Sequence, residues 1–91
     1  MPKIAEYRGF QFFIFSSDLN ERIHVHVLKS QEYGRVGKFW IEPEIELFET
    51  GNLTKKDIAL LQKILKKNLE KVKTQINTFR RTGKVKMITL R

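Results

Sequence analysis

Two short stretches, residues 21–27 and 38–43, constrain the fold of this chain more than any other feature. The first alternates apolar residues with both histidines of the chain, in the order Ile23, His24, Val25, His26 and Val27. The second does the same around the only tryptophan, in the order Lys38, Phe39, Trp40, Ile41, Glu42 and Pro43. Because successive side chains of a β-strand point to opposite faces of a sheet, this period predicts two strands with one apolar face each.

Three further segments extend the predicted sheet. Residues 10–15, rich in phenylalanine, predict a central strand, while residues 35–42 and 44–49 predict the third and fourth strands. Residues 1–9 are interpreted as a lead-in. Short polar turns separate the segments, so the sequence predicts an antiparallel sheet of about four strands within residues 10–49.

One long helix is predicted over residues 54–81. Thr54 is a suitable N-cap, Asp57 follows three residues later as in a capping box, and Gly83 is a stop signal. Apolar residues at helical spacing form a stripe that should pack on one face of the sheet: Ile58, Leu61, Leu65, Leu69, Val72, Ile76 and Phe79.

Two features of the helix and the tail each allow two interpretations. Leu60 and Ile64 lie beside the stripe, where they either extend the core or form a contact patch. Residues 82–91 are predicted to be a tail, within which residues 85–90 either form a short fifth strand or remain loose. The whole chain, residues 1–91, is thus predicted to be a single α+β domain.

Charge is distributed unevenly along the chain. Of its net charge of +8, residues 1–53 contribute −2 and residues 54–91 contribute +10. This asymmetry indicates RNA or another nucleic acid, an acidic partner protein, or a well-solvated helix. There is no cysteine and no apolar run of membrane-spanning length, so we expect a cytoplasmic protein without disulfides, thiolate metal sites or a membrane partner.

The alternation also predicts a chemically mixed outer sheet face, on the side away from the helix. We interpret this face as a contact surface made of Phe13, Phe15, His24, His26, Lys38, Trp40 and Glu42, with Glu44 and Glu46 nearby. Exposed aromatic groups on a sheet often mark a binding or dimer surface. The alternative is that these side chains only pack on one another.

The two histidines are the candidates for metal binding or acid–base catalysis. Side chains at positions i and i+2 of a strand point the same way, so His24 and His26 could reach one metal ion or act as an acid–base pair. A metal site would need a third ligand, for which Asp18, Glu21 and Glu42 are the candidates. This two-histidine signal is weak, and no cofactor-binding motif is present.

Basic residues on the predicted helix form a second candidate surface. They lie opposite the apolar stripe and would bind phosphate groups or an acidic partner: Lys56, Lys63, Lys67, Lys71 and Arg81. The alternative is an ordinary soluble helix surface, because lysine is a good helix former. The predicted layering puts this surface and the histidines on opposite sides of the sheet.

The strings Glu21 to Val27, Lys38 to Pro43 and Ile45 to Leu47, followed by Gly51 and the helix start at Leu53, resemble the bacterial domain-of-unknown-function 4160 family. Only His24, His26, Trp40 and Glu42 match as motif positions, and no catalytic residue carries over. The resemblance implies a small bacterial protein, often encoded beside a domain of the 2442 family. It also implies a candidate component of a toxin–antitoxin pair.

Three hypotheses follow. The first is an interaction module of a toxin–antitoxin-type pair that binds a partner protein, such as the 2442-type neighbour, and RNA. The second is a histidine-dependent nuclease that uses His24 and His26. The third is a structural homodimer that buries the outer sheet face against itself.

Overall fold

The computed structural model describes residues 3–14, 22–29 and 35–91. Its elements are one six-stranded sheet and two helices, with these bounds: β1 Lys3–Tyr7, β2 Phe10–Phe13, β3 His24–Lys29, β4 Gly37–Trp40, β5 Glu46–Glu49, α1 Lys55–Lys67, α2 Leu69–Thr82 and β6 Ile88–Thr89. The strand order across the sheet is β5-β4-β3-β2-β1-β6. The predicted α+β class is confirmed, but the sheet and the helix differ from the prediction in detail.

The sheet is mixed and has six strands. The four predicted strands are present as the antiparallel β2 to β5, whereas β1 and the parallel direction of the short C-terminal strand β6 were not predicted. Strands β1 to β5 form an antiparallel meander, and β6 pairs with β1 in parallel. The predicted lead-in contains β1, which a two-residue turn at Arg8 and Gly9 joins to β2. Both turn residues have positive φ, 39° and 87°, as such a tight hairpin requires.

The predicted single helix is interrupted at Asn68, so α1 and α2 are separate. The Asn68 side chain is 5% exposed, and its amide nitrogen donates to the carbonyl oxygens of Ile64 at 3.0 Å and Arg91 at 2.9 Å. Its backbone has left the regular helical conformation, with φ −110° and ψ 23°. Asparagine competes with the helix in this way because its side chain bonds nearby backbone groups.

Both predicted helix ends are confirmed. The Thr54 hydroxyl accepts from the backbone N–H of Asp57 at 3.1 Å, and the Asp57 carboxylate accepts from the backbone N–H of Thr54 at 3.0 Å. Gly83 ends α2 in the left-handed conformation, with φ 75°. Lys29, at the end of β3, forms an ion pair with Asp57 at 2.6 Å and so ties α1 to the sheet.

The Asp57 carboxyl group titrates below its ordinary range. Burial alone would raise the pKa of Asp57, but the Lys29 ammonium group and the hydrogen bonds with Thr54 outweigh that effect and lower it. The carboxylate therefore stays charged at the helix N-terminus, where it favours α1.

The helices pack on the inner face of the sheet and close one hydrophobic core. Sheet residues Val25 and Phe39 are completely buried, as are Leu61 and Leu65 of α1. Ile64, 5% exposed, extends this core, while Leu60 stays 37% exposed. Neither helix is long and apolar enough to cross a membrane.

The C-terminal residues are part of the structure. Strand β6 pairs with β1 at Ala5 and Glu6, and the backbone N–H of Leu90 donates to the Glu6 carbonyl oxygen at 2.8 Å. Leu90 is 2% exposed. From α2, the Gln75 side chain donates to the Ile4 carbonyl oxygen at 2.8 Å. The first and last segments of the chain are thereby held together.

We predict that Asn68→Ala lowers the free energy of unfolding by about 1–2 kcal/mol, because it removes the buried side-chain amide that bonds the carbonyl oxygens of Ile64 and Arg91 and ties the helix junction to the C-terminal segment. Chemical denaturation followed by circular dichroism measures this. Asn77→Ala is the matched control, since Asn77 is an exposed residue of α2 and should cost less than about 0.5 kcal/mol. Equal stability of the two variants would contradict the role assigned to Asn68.

Candidate functional site

The candidate site lies on the outer face of the sheet, where β3 pairs with β4. His24 stands opposite Trp40 and His26 stands opposite Lys38. These residues alternate with Val25, which is buried under the helices. Their side chains therefore point away from the helix layer.

A row of four rings crosses this face from β3 to β5. The His26 and His24 rings lie 5.1 Å apart, His24 and Trp40 5.3 Å, and Trp40 and Phe48 5.0 Å, in edge-to-face arrangements. His24 is the most buried ring, 2% exposed; His26 and Trp40 on either side of it are half-buried, and Phe48 is 53% exposed. Edge-to-face contacts of this kind stabilise each pair by roughly 0.5–1.5 kcal/mol. The row is therefore fixed at His24 and open at its Phe48 end.

Two cations flank the open end. The Lys38 ammonium nitrogen lies 4.8 Å from the ring centres of both Trp40 and Phe48. The Arg22 guanidinium carbon lies 4.9 Å from the Trp40 ring centre. Arg22 also forms a 2.9 Å ion pair with Glu46 and donates to the carbonyl oxygen of Glu42. The result is an aromatic surface bordered by positive charge, a combination that suits contact with an anionic group.

The predicted outer-face residues do not all lie together. Phe13 does join this face, because it stands opposite His26 in the β2–β3 pairing, and it is 9% exposed. Glu42 lies past the end of β4, and its carboxylate is 3.5 Å from the Lys73 ammonium nitrogen of α2. Phe15 lies outside the described residues.

Sequence reasoning missed Arg22 and Phe48. Phe48 could have been found, because it shares the strand parity of the outward residue Glu46. Arg22 shares the parity of His24 and His26 but lies before β3 begins, and it reaches Trp40 because β4 pairs with β3.

The histidine pair has the geometry of ring contacts more than that of a metal centre. His24 Nδ1 lies 2.7 Å from the Arg22 carbonyl oxygen, and because a carbonyl only accepts, Nδ1 carries the proton. A metal would then bind through Nε2 of His24 and a nitrogen of His26. The described residues contain no group of three side chains able to hold a metal ion. The candidate third ligands Asp18 and Glu21 lie outside them.

All five predicted basic residues of the helix surface are exposed, on the side of the molecule away from the ring row. Lys63 and Lys67 line one cleft together with Arg8 and Arg91. The other three predicted basic residues do not line this cleft: Lys56, Lys71 and Arg81. No local sequence pattern predicts that Arg8 and Arg91 join the lysines, because these two arginines lie far apart in the chain.

Residues 9–75 match the family described as domain of unknown function (DUF4160), and since this is more than half of the chain, the protein belongs to that family. The matched region contains the ring row, the capping box and the first half of α2. No significant match was found among curated proteins or among solved structures.

We predict that Arg22→Ala exposes the Trp40 ring, because the guanidinium group over it is lost. Acrylamide should quench the fluorescence of this only tryptophan more strongly than in the wild-type protein, while stability falls by less than about 1 kcal/mol. Arg81→Ala, which removes an exposed arginine from α2, serves as the control. Unchanged quenching in Arg22→Ala would contradict the stacking geometry.

Proposed function

We propose that this protein is an interaction module of a toxin–antitoxin-type pair. It binds an acidic partner protein through the outer sheet face and RNA through its basic helix side. The observation that carries the first half is the exposed Phe48 ring beside Trp40, with Lys38 placed over both. Aromatic anchors beside cations are typical of the residues that dominate protein interfaces.

Charge favours a different protein as the partner over a second copy. Every copy has a net charge of +8, so self-association opposes like charges. On the outer face itself, a two-fold contact centred on Trp40 would bring Lys38 near its counterpart, whereas Arg22 is already paired with Glu46. An acidic surface with an apolar side chain for Phe48 would complement both features. The small 2442-type neighbour that the family resemblance implies is the partner to test.

RNA binding is supported by the exposed lysines of the helix side and by the +10 charge of residues 54–91. Such a surface attracts phosphate groups, with an affinity that falls steeply as salt rises. The nuclease hypothesis gains no comparable support. His24 is 2% exposed and packs edge-to-face on Trp40, and the basic surface lies on the other side of the sheet.

We predict that Phe48→Ala and Lys38→Glu each weaken binding to the 2442-family protein by at least about tenfold, because they remove the aromatic anchor and reverse the charge beside it. Isothermal titration calorimetry on the full chains measures this. Met87→Ala is the control, since Met87 is 39% exposed and lies near β6, away from the ring row.

Two results would contradict the proposal. One is wild-type affinity in both outer-face variants. The other is a stable homodimer, seen by analytical ultracentrifugation, that Phe48→Ala dissociates, because the outer face would then serve self-association. Wild-type circular dichroism of the variants is expected, since Phe48 is mostly exposed.

A further inference from the structure

A cleft of about 710 Å³ lies on the helix side, between α1, the β1–β2 turn and the end of the chain. Four cationic side chains from three separate segments line it: Arg8, Lys63, Lys67 and Arg91. Much of the remaining lining is apolar, from Tyr7, Leu60, Ile64 and Leu90. A space of this size is in the range of sites that hold a nucleotide-sized ligand.

No carboxylate of the described residues neutralises these cations. The ion pairs on the described part of the chain involve other residues, so Arg8, Lys63, Lys67 and Arg91 have no acidic partner there. Lys63 and Lys67 are one helical turn apart, and like charges at that spacing destabilise a helix by roughly 0.2–0.5 kcal/mol. An anion in the cleft would relieve this repulsion.

The fold holds the cleft in place before any ligand arrives. The Arg8 guanidinium carbon lies 5.4 Å from the centre of the Tyr7 ring, which is 8% exposed. At the other wall, the Arg91 carbonyl oxygen accepts from Asn68 at 2.9 Å. Because both walls are attached to buried groups, binding would require little ordering of the backbone.

We propose that this cleft binds the phosphodiester groups of a single-stranded nucleic acid. Lys63 and Lys67 are spaced about 6 Å along the helix axis, so they can contact successive phosphates. The exposed Leu60 side chain and the Arg8 side chain offer contacts to an unstacked base, which a duplex does not present. This inference deepens the RNA-binding half of the proposed function and rests on it.

Fluorescence anisotropy with a labelled ten-nucleotide RNA, and with DNA of the same sequence, tests the cleft on the full chain. Lys63→Ala/Lys67→Ala should weaken binding about tenfold at 100 mM salt and reduce the salt slope by about 1.4, or 0.7 for each lost phosphate contact. Lys55→Ala/Lys84→Ala removes the same charge from exposed positions outside the cleft. This control should change the affinity less than about threefold.

Equal losses of affinity in the two double variants would show that binding follows total charge. That result would contradict the cleft as the binding site. Failure of the wild-type protein to bind RNA at about 50 mM salt would remove the RNA half of the function. The measurement with DNA then tests separately whether the cleft binds a single strand. DNA binding that depends on Lys63 and Lys67 would support the cleft as a binding site. Absence of binding to both the RNA and the DNA would contradict it.

Discussion

The structure depends on the pairing register of β3 with β4. Val25 stands opposite Phe39, both completely buried, and on the other face His24 stands opposite Trp40. Because the side-chain period of a strand is two, a slip of one residue would move the apolar pair to the outside and the rings into the core. The hydrophobic core and the outer ring row are therefore fixed by the same set of backbone hydrogen bonds.

Local patterns predicted the elements that local chemistry determines. The alternation of β3 and β4, the capping box at Thr54 and the stop at Gly83 are all present. Strand β1 was missed although its hairpin with β2 is local, through the turn at Arg8 and Gly9. Its pairing with β6 and the interruption at Asn68 depend on the distant C-terminal segment. That segment pairs with β1 through β6, and the Arg91 carbonyl accepts from the Asn68 side chain. No local pattern reports a contact of such sequence separation.

The same distinction applies to the two candidate surfaces. Strand parity placed the histidines and Trp40 on one face, and it could have added Phe48. Parity could not show that Glu42 would turn to Lys73 of α2. The basic helix was visible as a charge pattern, whereas its cleft was not, because the β1–β6 pairing is what brings Arg8 and Arg91 beside the lysines. One sheet thus separates an aromatic surface from a cationic cleft.

We propose that these two surfaces bind separate ligands on opposite sides of the sheet. The most direct test is an assigned ¹⁵N–¹H correlation spectrum recorded during titration with single-stranded RNA, with the indole N–H of Trp40 as a unique reporter of the outer face. We expect chemical-shift changes at the backbone amides of Lys63, Lys67 and Arg8, and no change of the Trp40 indole signal. An indole shift as large as those of the cleft amides would contradict it.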